Sequence, residues 1–209
     1  MLTKDCNFRD IYHKVCFIEC ADQIQNLKKV FNVSKKDNGV LAYGYIDHEE
    51  GFTFEVLTTG KLENGVLSRG LGNDEVSMKF RKSSVNDREI RIYEDRSLFK
   101  EYNEKFKTID TFFADTEDVD KTRGIREIDS CRHEDFPDDV IIYLVKDGLN
   151  PETVWVRCEK AEKQGVKAKL ISEPKQDFGS SYKWFCSISS SKKWKWYFVH
   201  SEIIKFNNL

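Results

Sequence analysis

The residue types best suited to gripping a partner crowd into "SSSKKWKWYFVH", which ends at His200. On an extended strand side chains alternate, so Trp194, Trp196, Phe198 and His200 share one face, and Lys193, Lys195, Tyr197 and Val199 the other. The preceding run, "YKWFCSIS", groups Tyr182, Trp184, Cys186 and Ile188 in the same way. Two arrangements satisfy this pattern. In one, the two strands form a hairpin closed by "SSSK", with their aromatic faces packed on a core. In the other, the tryptophans stay in solvent beside the lysines and make a binding surface of Trp184, Lys193, Trp194, Lys195 and Trp196. Such a surface suits a protein partner, because tryptophan is a favoured interface anchor. It also suits nucleic acid, with rings stacking on bases and lysines meeting phosphates. A protein partner is the leading expectation and nucleic acid the alternative, because the formal charge of −2 is low for a nucleic-acid binder.

Other groupings offer less. Cys16 and Cys20 lie on one face of an expected strand, but four residues span roughly 13 Å there, too far to share a zinc ion. They are expected as small buried hydrophobes. Cys131 and His133 supply two ligands where a structural zinc needs four. "DVDKT" (Asp118–Thr122) resembles the Asp-x-Asp-x-Thr nucleophile motif of haloacid-dehalogenase-like phosphatases. That chemistry needs an apolar strand immediately upstream, and the upstream residues are "ADTE". An EF-hand loop beginning at Asp118 would place Arg123 where glycine is required, and Asp129 where glutamate is expected. No Walker A loop, Gly-x-Ser-x-Gly or Gly-x-Gly-x-x-Gly is present. A cysteine nucleophile needs a histidine brought to it by the fold, and no local pattern marks a pair. The expectation is therefore no catalytic residue, no metal and no cofactor, with enzymatic activity held as a third alternative.

Composition sets the wider bounds. The 209 residues are 39% hydrophobic, 33% charged and 13% aromatic, with three prolines. That is a globular composition able to bury a core without staples. "MLTKDCNFRDIYHK" has no apolar h-region, and no apolar run approaches the roughly 18 residues of a membrane span. A cytosolic protein without membrane contact is expected, its six cysteines reduced. Residues 1–139 carry 22 Lys+Arg against 29 Asp+Glu, and 140–209 carry 12 against 7. This shift from −7 to +5 suggests two units with different surfaces.

The elements that must position these residues are mostly strands. "HKVCFIEC" reads as a strand. "ADQIQNLKKVF" reads as a helix capped by Asp22, with Ile24, Leu27 and Phe31 at helical spacing. Two β-rich runs flank the hairpin signal "DHEEG". "VSMKF" and "REIRIYE" alternate as strands. A second helix follows Ser97, with Phe99, Tyr102, Phe106 and Ile109 as its stripe. Residues 113–138 turn acidic and read as a linker or a loosely structured excursion. Five further β-like runs, beginning at residues 139, 153, 165, 182 and 193, suggest a small barrel or a strongly bent sheet. The fold expected is α+β and mostly antiparallel: an α+β domain over 1–112, the acidic connection over 113–138, and a small five-stranded β-domain over 139–209.

The segment "ETVWVRCEKAEKQGVKAKLISEPKQDFG" (residues 152–179) resembles the small β-domain of the uncharacterised bacterial family DUF2314, through Glu152, Trp155, Val156 and Pro174. The resemblance implies a small β-domain of bacterial type and transfers no functional residue. The function expected is a non-catalytic binding or inhibitory protein acting through protein contacts, of the bacterial immunity or phage-conflict type.

Overall fold

The computed structural model describes residues 1–72, 76–144, 146–163 and 165–178, together with the backbone of 183–186 and 197–198. The chain divides into two compact units, residues 1–114 and 115–209. It is a mixture of helices and largely antiparallel sheet. None of the described helices is long and apolar enough to cross a membrane.

After a 3-10 turn over Thr3–Asp5, the first unit forms a short helix, α1 (Phe8–Ile11), and continues into β1 (Val15–Glu19). The expected hairpin follows as β2 (Gly39–Asp47) and β3 (Gly51–Glu63). Then come β4 (Val66–Arg69), β5 (Lys79–Arg81) and β6 (Ile90–Tyr93). The main path of the sheet runs β4-β3-β2-β1-β6, with β5 also pairing to β3. Strand β4 is absent from the expectation, although "NG" announces it: Asn64 and Gly65 both take positive φ, 51° and 81°. That is the two-residue hairpin turn for which Asn-Gly is preferred.

The two faces of this sheet are filled differently. Cys16, Ile18, Val40, Ala42, Phe52, Phe54 and Val56 form an apolar layer with Ile11, Ile24, Leu27 and Phe31. The other face carries Leu41, Tyr43, Tyr45 and Leu57 under Phe99, Tyr102, Phe106 and Ile109. The last two residues belong to α2 (Asn103–Phe112). Lys105 of α2 reaches down to donate to the carbonyls of Val76 (2.9 Å) and Val56 (3.3 Å), and lies 3.2 Å from the buried Glu55 carboxylate. The expected stripe is present, but its first half, Arg96–Tyr102, is 3-10 and capped by Asp95, whose side chain accepts from the Ser97 amide at 2.8 Å. The segment expected as the first helix is also 3-10, over Ile24–Lys29. Its expected cap, Asp22, forms a two-point ion pair with Arg88 at 2.6 and 2.8 Å instead.

The second unit begins inside the acidic segment, which is built into the unit rather than left as a bare connection. Thr116 caps α3 (Glu117–Arg123), accepting from the Val119 amide at 3.3 Å, and a 3-10 turn spans Arg126–Cys131. The sheet is formed by β7 (Asp139–Leu144), β8 (Glu152–Glu162), β9 (Gly165–Leu170), β10 (Lys183–Cys186) and β11 (Tyr197–Phe198). Its order is β10-β9-β8-β7-β11. All pairs are antiparallel except β11 with β7, which is parallel, Tyr197 opposite Tyr143. Val140, Ile142, Val154, Val156, Cys158, Val166 and Ala168 alternate inward and make the core with Ile128 and Phe178.

Arg123 ties the acidic segment to this sheet. Its side chain is 5% exposed and donates to both oxygens of Asp138, at 2.8 and 2.6 Å, to Asp115, and to Asp120 at 3.2 Å. Arg132, equally buried, donates to the Thr122 carbonyl at 2.6 Å, to the Pro137 carbonyl, and to Asp129 at 3.1 Å. Lys160 of β8 lies 3.4 Å from Asp118 of α3. The acidic residues are thus the counter-charges of their own unit. Counted by unit, residues 1–114 hold 18 Lys+Arg and 19 Asp+Glu, and 115–209 hold 16 and 17. The apparent charge asymmetry disappears once the boundary falls at residue 115.

All four tryptophans lie in the second unit, so their fluorescence reports its unfolding alone. Arg123→Ala strands the Asp115 and Asp138 carboxylates in a buried site and is expected to cost that unit about 3–5 kcal/mol. Lys121→Ala, which removes an exposed pair with Glu117, is expected to leave the midpoint unchanged. Urea denaturation followed by tryptophan emission measures both.

Candidate functional site

Alternation along β7, β8 and β9 gives their sheet an outward face opposite the core. On it, Tyr143 stands opposite Thr153, Ile141 opposite Trp155, and Asp139 opposite Arg157. Arg157 in turn stands opposite Lys169, and the Ile171 amide donates to the Trp155 carbonyl at 3.0 Å. The result is an apolar row, Ile141–Trp155–Ile171, with Tyr143 on one side and a basic row, Arg157–Lys169, on the other. Lys167 extends the basic side along β9.

Tyr143 is 50% exposed and Ile171 46%, while Ile141 and Trp155 are half-buried. Trp155 is held once through its backbone and once through its ring. Its amide donates to Ser172 Oγ at 2.7 Å, and the His133 ring meets its indole edge-on at 5.1 Å. His133 is itself pinned, with Nδ1 accepting from the amides of Asp135 (3.1 Å) and Phe136 (3.3 Å). A rigid aromatic residue beside exposed apolar neighbours is the composition of an interface centre.

The basic side is weaker than the residue types suggest. Arg157 donates to both oxygens of Asp139, at 2.6 and 2.9 Å. Lys160 is taken by Asp118. Among the described residues, Lys167 and Lys169 have no ion-pair partner, so they supply the uncompensated charge.

Of the sequence-derived binding residues, Trp184 lies in β10, in register with the buried Ala168 of β9. Lys193, Trp194, Lys195 and Trp196 lie outside the described residues. The described part of the second aromatic run, Tyr197–Phe198, pairs with β7, whereas β10 pairs with β9. The two runs therefore enter the sheet at opposite ends of its strand order. Tyr143, Trp155, Lys167 and Lys169 were missed as a group because they come from three strands. Only the β7–β8–β9 register, not any local spacing, brings them together.

The remaining motifs have structural roles. Asp118 and Asp120 of "DVDKT" sit in α3 and pair with Lys160 and Arg123, and Thr122 Oγ1 donates to the Val119 carbonyl at 2.7 Å. Glu152, which carried the family resemblance, accepts from the Lys175 amide at 2.6 Å and from Gln176 Nε2 at 2.7 Å, clipping residues 175–176 to the start of β8. Among the described residues no three His, Cys, Asp or Glu side chains converge as a metal site would require. A small apolar recess of about 10 Å³ lies between Ile128, Cys131, Val140 and Cys158. It has room for roughly one water and no polar lining to hold it.

Burial raises the thiols of Cys6 and Cys16 above the ordinary cysteine value, and pushes Cys20 up to about 11 and Cys158 up to about 12. These four sulfurs stay protonated at neutral pH, and the thiol is the unreactive form. No protein-family model, curated protein or solved structure matches the chain.

Alkylation of the native protein by iodoacetamide at about pH 8 is expected to label Cys131, which is half-buried, before Cys6, Cys16, Cys20 and Cys158. For Cys20 the thiolate fraction is about two orders of magnitude below that of a free thiol. Peptide mass spectrometry over a time course reads the order.

Proposed function

We propose that the protein is a non-catalytic binding protein and that its second unit docks a protein partner on the outward face of β7, β8 and β9. The observation that carries this reading is the exposed Tyr143 and Ile171 flanking a pinned Trp155. Tyrosine and tryptophan give large contact area at low entropic cost, and they dominate the centres of protein interfaces. Lys167 and Lys169, without an ion-pair partner among the described residues, fit a partner patch with an apolar centre and an acidic rim. The raised thiols of Cys6, Cys16, Cys20 and Cys158 weigh against those four as nucleophiles.

Nucleic acid is the second reading, favoured by the same rings beside the same lysines. Two aspartates, one in α3 and one in β7, weaken it. Asp118 and Asp139 neutralise Lys160 and Arg157, so the face offers fewer phosphate contacts than its composition implies.

Barrel closure belongs to this proposal. A meander of five strands alternates direction, so its first and last strands run the same way. If such a meander closes on itself, its first and last strands must pair in parallel. The parallel β7–β11 pair is the one that closure demands, and β10 and β11 would then meet as the hairpin expected from the sequence. Closure would bring Trp184 of β10 into the same small barrel as the proposed face.

Capture from host lysate with the full chain and with a Tyr143→Ala/Ile171→Ala variant tests the reading. Both side chains are exposed, so the variant is expected to fold normally. The account expects a protein retained by the wild type and reduced at least about tenfold by the variant. Retention of nuclease-sensitive material that is lost between about 50 and 200 mM salt favours nucleic acid instead. Equal capture by both forms excludes this face.

A further inference from the structure

Four segments of the first unit converge on a polar cluster that the proposed docking face does not use. Asp110 of α2 accepts from the Tyr43 phenol on Oδ1 at 2.6 Å, and from Arg96 Nη1 on Oδ2 at 2.9 Å. The same Nη1 donates to the Tyr43 oxygen at 2.8 Å. The Arg96 guanidinium lies 4.7 Å from the Phe106 ring centre and 5.3 Å from that of Tyr43. One nitrogen is therefore anchored, and the guanidinium carbon lies over two rings. The side chain is nevertheless 37% exposed, and among the described residues its Nε and Nη2 carry no hydrogen bond. A stacked guanidinium with one edge free is pre-organised for bidentate capture of an oxyanion.

His13 stands beside it. Its Nδ1 is 3.7 Å from Asp110 Oδ1, its ring is 41% exposed, and it packs 4.0 Å from Tyr12. Its backbone is left-handed, φ 56°. Histidine is among the residues enriched there, although the conformation is uncommon outside glycine. Two backbone bonds hold it: the His13 amide donates to the Gly44 carbonyl at 2.8 Å, and the Gly44 amide to the Lys14 carbonyl at 3.0 Å. Gly44 permits this approach because a Cβ there would sit 2.3 Å from the Ile11 carbonyl oxygen.

The charges decide what the cluster can hold. Asp110 cancels Arg96, and Glu94 cancels the neighbouring Lys14. Tyr43, whose phenol is raised far above its ordinary value by burial and by Asp110, stays neutral, and Tyr12 lies alongside. A proton on His13 adds one positive charge next to Asp110. We propose that Arg96 and His13 form a binding site for an oxyanion group, phosphate or carboxylate, with Asp110 and Tyr43 as positioning residues. Affinity rises as His13 takes up its proton.

Sulfate is the probe, because it keeps its two charges across the range in which histidine titrates. NMR titration of the full chain at about pH 5.5 and pH 8 brackets that range. The expected result is saturable shifts at Arg96 Nε–H and the His13 ring, with roughly tenfold tighter binding at the lower pH. Arg96→Lys, which keeps the charge and loses the fork, is expected to weaken binding about tenfold at both pH values. His13→Asn suits the left-handed backbone, and is expected to keep the high-pH affinity and lose the low-pH gain. His13 lies outside the Arg96–Asp110–Tyr43 hydrogen bonds, so this variant keeps the test open should Arg96→Lys unfold. Acetate at matched ionic strength separates the two ligand types: tighter sulfate assigns phosphate, and tighter acetate assigns carboxylate. Shifts that do not saturate, or that are unchanged in both variants, mean an adventitious ion only and overturn the site.

Discussion

Burial of the Arg123 guanidinium among Asp115, Asp120 and Asp138 is the interaction on which the second unit depends. An arginine cannot shed its charge, so enclosing it requires carboxylates with matched geometry. Asp138 meets it with two oxygens immediately before β7 begins, and Asp115 stands just before α3. The polar network therefore fixes where the acidic segment folds back. Once it has, Ile128 joins the sheet core and Arg132 satisfies the carbonyls of Thr122 and Pro137. The same network determines what the unit shows to solvent. Carboxylates that pair inward cannot repel a partner, and basic residues that they neutralise cannot attract one.

The strands were legible in the sequence because a sheet with distinct faces writes a period of two. "VIIYL" and "TVWVRC" alternate as they must when Val140, Ile142, Val154, Val156 and Cys158 enter one core. The acidic segment was misread for a physical reason. Its order rests on Arg123 and Arg132, and a buried arginine looks like any solvated cation in a composition count. The short 3-10 turns were misread because their apolar spacing, such as Ile24–Leu27, fits an α-helix as well. The "NG" at Asn64–Gly65 is a local signal for the β3–β4 hairpin.

The candidate sites were less legible, and for a related reason. A site assembled from one stretch can be quoted; one assembled by register cannot. Tyr143, Trp155 and Lys169 come from three strands, and His13, Tyr43, Arg96 and Asp110 from four segments. What the sequence offered instead was the Trp/Lys stretch, where aromatic density is real but alternation alone leaves two faces open. The two units then divide their chemistry. The first places polar groups beneath a helix on one face of its sheet and keeps the other face apolar. The second keeps its core apolar and turns rings and lysines outward. The proposed functions follow this division, oxyanion capture in the first unit and protein docking in the second.

The most direct test of the docking face is proximity in the living host. A photo-crosslinking amino acid is placed at Tyr143, with the same group at the exposed Lys163 as control, and the adducts are identified by mass. The account predicts one discrete protein adduct from position 143 and none from 163. No protein adduct at 143, a nucleic-acid adduct there, or the same protein captured equally from both positions would contradict it.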